Sequence, residues 1–325
     1  MKNVFVIGAG QLGSRHLQAL KSIRQNLEIN IIDPNKESLK VAKERYDSIP
    51  GNQDNRVFYK QSINNIDATT EIDIVIIATT SNVRAKITKD LLEKFEVKSI
   101  VFEKILFQKR EDYFAVSDLL KKKNVKGYVN CCMRMMSFYN EIKSSFKDTK
   151  FKYLVSGSQY GLVTNLIHYI DHMAYLNNST HYTANSNFLD ENLIESKRKG
   201  FYELNGTFHV NFNNGTQGIF TCEPEGDSPI IIQAYNNKVH FISKESEGKV
   251  LISKSENDWK WEEIEFNIPF QSELTTNLIE ELFQKDTCSL PSYEESKEIH
   301  LPLLDSLLDF INKKDEASFD LYPFT

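Results

Sequence analysis

Cysteine is scarce in this chain. Its 325 residues include four, Cys131, Cys132, Cys222 and Cys288, and none of the gaps between them is the spacing of a metal-ligand pair. Cys131 and Cys132 are adjacent and on a strand would point to opposite faces, so reduced, buried thiols are expected and no metal. A surplus of one charge is missing too. Lys and Arg number 39 against 45 Asp and Glu, a net charge of −6, with no large basic patch, which excludes nucleic acid as a partner. No apolar run reaches the ~20 residues that cross a bilayer, so no membrane-spanning helix is expected. The first apolar stretch, VFVIG, is too short for a secretory leader and runs directly into glycines, so a cytoplasmic chain is expected. Repeats, low-complexity tracts and long linkers are also absent. What is left is ordinary: 40% hydrophobic and 26% charged residues suit a soluble globular protein, and the length suits two domains.

Three of the 13 glycines fall within the first 13 residues. VFVIG (4–8) has the β-branched, aromatic composition of a buried strand. From Leu12 onward the spacing is helical, with Leu12, His16, Leu17, Leu20 and Ile23 on one side. Gly8-Ala9-Gly10-Gln11-Leu12-Gly13 therefore lies at a strand-to-helix turn. Gly8 permits the tight turn, Gly10 lets a pyrophosphate approach the backbone, and Gly13 lets the helix pack close to the strand. The helix N-terminus, at Gln11 and Leu12, offers N–H groups and a positive dipole end to the phosphates. LEINIID then reads as a second strand ending at Asp33, ~20 residues past the last glycine, where an acidic residue accepts from the ribose hydroxyls. A carboxylate there repels a 2′-phosphate, so NAD is expected over NADP.

Strand and helix alternate through the first part. EIDIVIIATT (71–80) is a near-continuous apolar strand suited to a buried parallel sheet. It ends in small polar residues, and Thr79, Thr80 and Ser81 lie at the strand end where ligands of open α/β sheets sit. A helix over about 83–95, strand 97–104, helix 111–123 and strand 127–132 follow. Beyond come a helix at 137–147, strand 151–158 and a helix at 162–176. Residues 200–266 are strand-rich, with a hairpin turning at Asn213-Asn214-Gly215. Helices at about 272–285 and 292–312 close the chain. The expected class is α/β: an N-terminal Rossmann-type doubly wound parallel sheet in 1–128, and a C-terminal α+β domain with a large, mainly antiparallel sheet in 129–325.

Two stretches carry chemistry. Phe102-Glu103-Lys104 ends a strand that should lie beside the cofactor, with Glu103 near the dinucleotide and Lys104 aimed at a substrate hydroxyl. A neighbouring nicotinamide cation would lower the lysine pKa, which suits proton transfer. The second stretch is YGLVTNLIHYIDH (160–172). Asn165 and His168 are i,i+3, and Thr164, His168 and His172 are i,i+4, so these polar groups share a helix face. His168 is placed as a general base near neutral pH; a hydrogen-bonded core histidine is the plainer alternative. His168 and His172 at i,i+4 also invite zinc, but no third ligand is evident. Arg84, on the helix after IIATT, reads as solvent-exposed, with a reach to a phosphate or carboxylate as the alternative.

The order GAGxxGxRH, IIATT, EK and IHYID resembles the Gfo/Idh/MocA family of sugar oxidoreductases over essentially the whole chain, with Arg134 and the closing Pro323-Phe324-Thr325 included. By that resemblance Lys104 matches the lysine of an EKP motif and His168 the histidine of a DxxxH motif. Ile105 stands where the proline would be and Thr164 where the aspartate would be, with Asn165 following it. The resemblance implies hydride transfer between NAD(P) and a secondary hydroxyl of a sugar, cyclitol or nucleotide sugar. Lys104 and His168 would be catalytic, and Arg134, Gln159, Tyr160 and Asn165 would join them on the substrate. The segment YGLVTNLIHYID is similar to members of surface-polysaccharide sugar pathways, which implies a biosynthetic role. It also implies a homodimer or homotetramer formed through the large sheet of the C-terminal substrate-binding and oligomerisation domain. Two alternatives stay open: a dinucleotide-binding regulator without turnover, and an NAD-recycling glycosidase or lyase.

Overall fold

In the computed structural model the run KNVFVI forms strand β1 (Lys2–Ile7), whose last four residues are buried. The chain continues through α1 (Gln11–Leu20), β2 (Leu27–Ile32), α2 (Lys36–Asp47), β3 (Arg56–Lys60), β4 (Ile72–Ile77), α3 (Ser81–Lys94), β5 (Val97–Phe102), α4 (Arg110–Lys122) and β6 (Lys126–Val129). The residues described are 1–314 and 318–325. The six strands pair in the order β3-β2-β1-β4-β5-β6, all parallel. The order reverses between β1 and β4, so the crevice for a ligand opens at their carboxyl ends, which lead into Gly8 and Ala78. α2 and β3 are additions to the sequence reading. The helix announces itself in Asn35, whose side chain accepts from the N–H groups of Glu37 and Ser38, an ordinary N-cap.

β6 is shorter than expected. β5 ends at Phe102, whose register partner is Val129, so nothing remains for the next residues to pair with. Cys132–Met135 form a 3₁₀ turn instead. Cys131 is buried and Cys132 half-buried, but they do not alternate across a strand.

The next elements are α5 (Ser137–Phe146), β7 (Lys152–Ser158), α6 (Leu162–Asn177), β8 (Tyr182–Leu189), the short β9 (Ile194–Glu195) and β10 (Tyr202–Glu203), β11 (Gly206–Phe212), β12 (Gln217–Glu223), β13 (Ile231–Tyr235), β14 (Val239–Lys244), β15 (Lys249–Lys254) and β16 (Trp261–Glu265). Helices α7 (Gln271–Lys285) and α8 (Tyr293–Lys314) follow. Eight strands join in the order β16-β15-β14-β13-β7-β12-β11-β8; β7 and β12 run parallel and every other pair is antiparallel. The hairpin at Asn213-Asn214-Gly215 joins β11 to β12 as its sequence predicts.

The chain divides into two compact units, Met1–Asn130 with Pro269–Glu294, and Cys131–Ile268 with Glu295–Thr325. A cut at residue 128 therefore misplaces α7, which belongs with the parallel sheet. Its anchor is polar and long-range: the Thr276 hydroxyl donates to the Ala19 carbonyl at 3.0 Å.

In the second unit α6 lies against one face of the eight-stranded sheet. Tyr169 stacks on Phe220 at 6.1 Å, and Gly218 makes room for Met173, whose sulfur a Cβ would meet at 2.6 Å. The other face is left with a cross-strand row in register: His209, Ile219, Leu154, Gln233, Ile242 and Leu251. Ile219 is 38% exposed. His172 goes to the core, not to the polar face of α6. It is fully buried, with Nδ1 2.8 Å from the Tyr153 hydroxyl and its ring 4.2 Å from that of Tyr139.

Burial, helped by the Arg134 charge, pushes the His172 imidazole down from 6.5 to about 3. The unfolded chain takes up this proton near 6.5 and the folded chain only near 3, so stability is full above 6.5 and falls as pH drops through that window. Urea unfolding should show a slope approaching about 1.4 kcal/mol per pH unit from this group. His172→Gln, which keeps an acceptor for Tyr153, should flatten it; an unchanged slope would show that His172 is not buried neutral.

Candidate active site

The turn between β1 and α1 is built around the absence of side chains. A Cβ on Gly13 would lie 1.7 Å from the Gly8 carbonyl oxygen. Gly8 itself has φ +97 and a Cβ there would stand 2.9 Å from the Ala78 backbone. Gly10 differs: a Cβ would meet nothing within 4 Å. It faces open space at the N-terminus of α1, where no side chain caps the helix. Gln11 is exposed and Leu12 half-buried in the first turn. Asp33 closes one side of this cradle. Its Oδ2 accepts from the Ala9 N–H at 2.7 Å and its Oδ1 from the Asn35 N–H at 2.8 Å, so the carboxylate is oriented before any ligand arrives. On the other side, the Thr79 hydroxyl is buried without a hydrogen-bond partner among the described residues. Thr80 is the N-cap of α3 and its hydroxyl donates to Asn82 Oδ1 at 2.6 Å; Ser81 is buried. Uncapped helix N–H groups, an open glycine, an oriented carboxylate and an orphaned hydroxyl fit a dinucleotide.

Glu103 is turned inward and bonds within its own unit. The carboxylate is 4% exposed and meets His16 Nε2 at 2.9 Å and Asn130 Nδ2 at 2.6 Å, both on Oε1. Behind it, His16 Nδ1 lies 2.9 Å from the Thr275 hydroxyl of α7. Burial raises the carboxyl, but the bond and charge of His16, then Asn130 and Lys104, outweigh it and hold it at about 2. From Val101 to Phe107 only Lys104 is not fully buried. The Lys104–Ile105 peptide is cis. Arg84 is not at the surface, as its sequence context suggested. It is 1% exposed and donates to the carbonyls of Thr79, Ile105 and Leu106.

In the second unit, α6 begins after Gly161, which has φ +76. Its first N–H groups are capped by a carboxylate that sequence reasoning missed. Glu203 of β10 accepts from Val163 N–H at 2.9 Å and from the N–H and hydroxyl of Thr164. Asn165 braces the same turn, its Nδ2 donating to the Tyr160 carbonyl at 2.7 Å. The Tyr160 hydroxyl is buried and has no hydrogen-bond partner among the described residues, and burial raises its pKa. Gln159 donates to the Gly226 carbonyl. His168, one turn on from Thr164, is half-buried. Arg134 is 6% exposed. Its Nε and Nη2 meet the two oxygens of Asp171 at 2.8 Å each, and Nη1 meets Glu295 at 3.3 Å. That guanidinium is committed to holding α6. Burial pushes the Asp171 carboxyl up to about 6 against the pull of Arg134. Among the described residues no cluster of His, Cys, Asp or Glu could hold a metal ion.

Residues 2–131 match the Gfo/Idh/MocA family, an oxidoreductase family with an NAD-binding Rossmann fold. The matched residues are those of the parallel sheet and its helices α1 to α4. Three solved structures extend the likeness to the whole chain. UDP-N-acetylglucosamine 3-dehydrogenase GnnA from Acidithiobacillus ferrooxidans is 14% identical, with 97% of this chain and 99% of that chain covered and a TM-score of 0.72. A levoglucosan dehydrogenase in complex with NADH and L-sorbose is 16% identical, with 100% and 99% covered and a TM-score of 0.72. A Gfo/Idh/MocA family oxidoreductase from Vibrio cholerae is 14% identical, with 97% and 99% covered and a TM-score of 0.70. At such identities the likeness is one of fold. Sequence comparison with curated proteins gives no match. No described helix is long and apolar enough to cross a membrane.

The glycines of this turn differ in what they protect, and this is testable. Gly10→Ala adds a methyl that meets no protein atom within 4 Å, so the melting temperature should hold while NADH affinity falls roughly tenfold or more through the blocked pyrophosphate approach. Gly13→Ala should instead lower the melting temperature, because its methyl collides with the Gly8 carbonyl. Equal losses of stability in the two variants would contradict this division.

Proposed function

We propose that this chain is an NAD-dependent dehydrogenase or reductase acting on a secondary hydroxyl of a sugar, cyclitol or nucleotide sugar. The observation that carries the cofactor half is the cradle of Gly8, Gly10 and Gly13 facing the oriented carboxylate of Asp33. That carboxylate suits ribose hydroxyls and repels a 2′-phosphate. Bound NAD supplies the hydride acceptor, or NADH the donor, that the side chains lack. Lys104 donates to the reacting hydroxyl. His168 takes its proton in oxidation and returns it in reduction. Asn165 binds the sugar through its remaining amide atoms, and the Tyr160 hydroxyl donates to it, which gives that buried group its missing partner. Arg134 acts on α6 through Asp171 and contributes to substrate binding by position. A role in surface-polysaccharide sugar biosynthesis follows from the same reading, and the cytoplasm is the compartment that supplies such substrates.

Ile219, Leu154, Ile242 and Leu251 in the row on the sheet face away from α6 suit a homodimer or homotetramer. Ile219→Glu should shift the sedimentation coefficient to that of a single chain; an unchanged value with wild-type folding would remove this face from the assembly.

The test of function is nicotinamide fluorescence and turnover with a panel of nucleotide sugars. NADH should bind at least roughly tenfold more tightly than NADPH. Lys104→Ala should retain NADH and lose about 100-fold or more in kcat. Tight NADH binding with no turnover on any sugar would favour the silent regulator. Consumption of a glycoside without net NADH would favour the recycling glycosidase or lyase. No dinucleotide binding would end the proposal.

A further inference from the structure

Lys104 is the one partly exposed residue in an otherwise buried stretch, and both of its neighbours are anchored. On one side the Glu103 carboxylate is held by His16 of α1 and by Asn130. On the other, the carbonyls of Ile105 and Leu106 accept from Arg84 of α3, the second at 3.0 Å. The same guanidinium reaches the carbonyl of Thr79, in the turn after β4. Arg84 is thus a fork joining the turn after β4 to the turn after β5, the two segments on either side of α3. Ile105 and Leu106 are fully buried, and Arg84 is 1% exposed. Placing a guanidinium out of water is costly unless its donors are satisfied, and a planar fork can satisfy several carbonyls where an ammonium cannot.

We propose that Arg84 is a positioning residue for Lys104: its fork fixes the backbone beyond Lys104, and the His16–Glu103 pair fixes the backbone before it. The Cα–Cβ direction of Lys104 is thereby fixed, so the long side chain starts from one anchored point. A lysine on an anchored backbone loses no main-chain freedom when a hydroxyl arrives. This inference rests on the proposed role of Lys104 in the reaction, but the anchoring itself does not require a substrate.

The experiment measures the acetylation of individual lysines by trace acetic anhydride, read by peptide mass spectrometry across pH, with and without NADH. The proteins are the wild type, Arg84→Lys and Arg84→Ala. Two other lysines calibrate it. Lys86 is exposed, and Lys21 is 5% exposed with its amine on the Tyr46 carbonyl at 2.9 Å. In the wild type Lys104 should follow a pH dependence distinct from Lys86. In Arg84→Ala its rate should change roughly tenfold and converge on Lys86, one pKa unit being a factor of ten, while Lys21 stays protected. Arg84→Lys should fall between the two, and guanidinium added to Arg84→Ala should restore the wild-type profile. A Lys104 profile unchanged in Arg84→Ala would overturn the proposal. So would Lys21 opening together with Lys104, which would make Arg84 a general support of the unit. If Arg84→Ala fails to fold, Arg84→Lys decides alone by the same comparison. A wild type that binds no NADH would instead sink the functional reading and leave the comparison of Lys104 with Lys21 standing.

Discussion

The first unit depends on one contact, the approach of α1 to the ends of β1 and β4 with no side chain between. A Cβ at Gly13 would sit inside the Gly8 carbonyl, so the helix can begin where it does only because glycine stands there. Three consequences follow from that position. The helix N-terminus faces the carboxyl ends of the strands, where its N–H groups can serve a phosphate. The Ala9 N–H lies within reach of Asp33. And His16, one turn further along α1, arrives at Glu103. One helix therefore ties the phosphate turn to the stretch that carries Lys104.

Buried pairs of ionisable groups are the recurring device. Glu103 and His16 in the first unit, and Arg134 and Asp171 in the second, are each almost wholly removed from water. Such pairs add little net stability compared with well-packed apolar groups, yet removing one partner leaves an uncompensated charge. Their value is directional. Arg134 meets Asp171 through two parallel bonds, a geometry that fixes the rotation of α6 in a way that apolar packing alone would not. The rotation matters because His172, the next residue, must enter the core while His168, one turn back, stays half-exposed.

Much of this was legible in the sequence because it is local. The strands of the parallel sheet are runs such as VFVI and IDIVII, the glycine turn sits between a strand and a helix, and Asn213-Asn214-Gly215 marks its own hairpin. What was not legible depends on partners far away in the chain. Arg84 looks like any exposed helix arginine until the carbonyls 21 and 22 residues later are brought to it. Glu203 sits in a two-residue strand with no motif, and only the fold takes it 39 residues back to Thr164. α7 has an ordinary helical pattern, and nothing in that pattern says which unit it joins; the threonines that decide it bond to residues more than 250 positions away. His172 was misread because i,i+4 spacing places residues on one side of a helix but does not say how far the neighbouring sheet extends over that side.

The two departures from the family pattern bear on whether the chain is catalytic. By the resemblance, Ile105 stands where a proline would be and Thr164 where an aspartate would be, and on sequence alone each difference speaks for a silent protein. A motif residue, however, acts through the groups it positions. The backbone at Ile105 is held by the Arg84 fork. The first turn of α6 has a carboxylate on Thr164 even though none stands in the sequence at that position, because Glu203 supplies it from β10. A negative group at a helix N-terminus is favoured by the dipole, and at i,i+4 Thr164 is a direct surface neighbour of His168. At each position a group from elsewhere in the chain holds the same turn: the Arg84 guanidinium at Ile105 and the Glu203 carboxylate at Thr164.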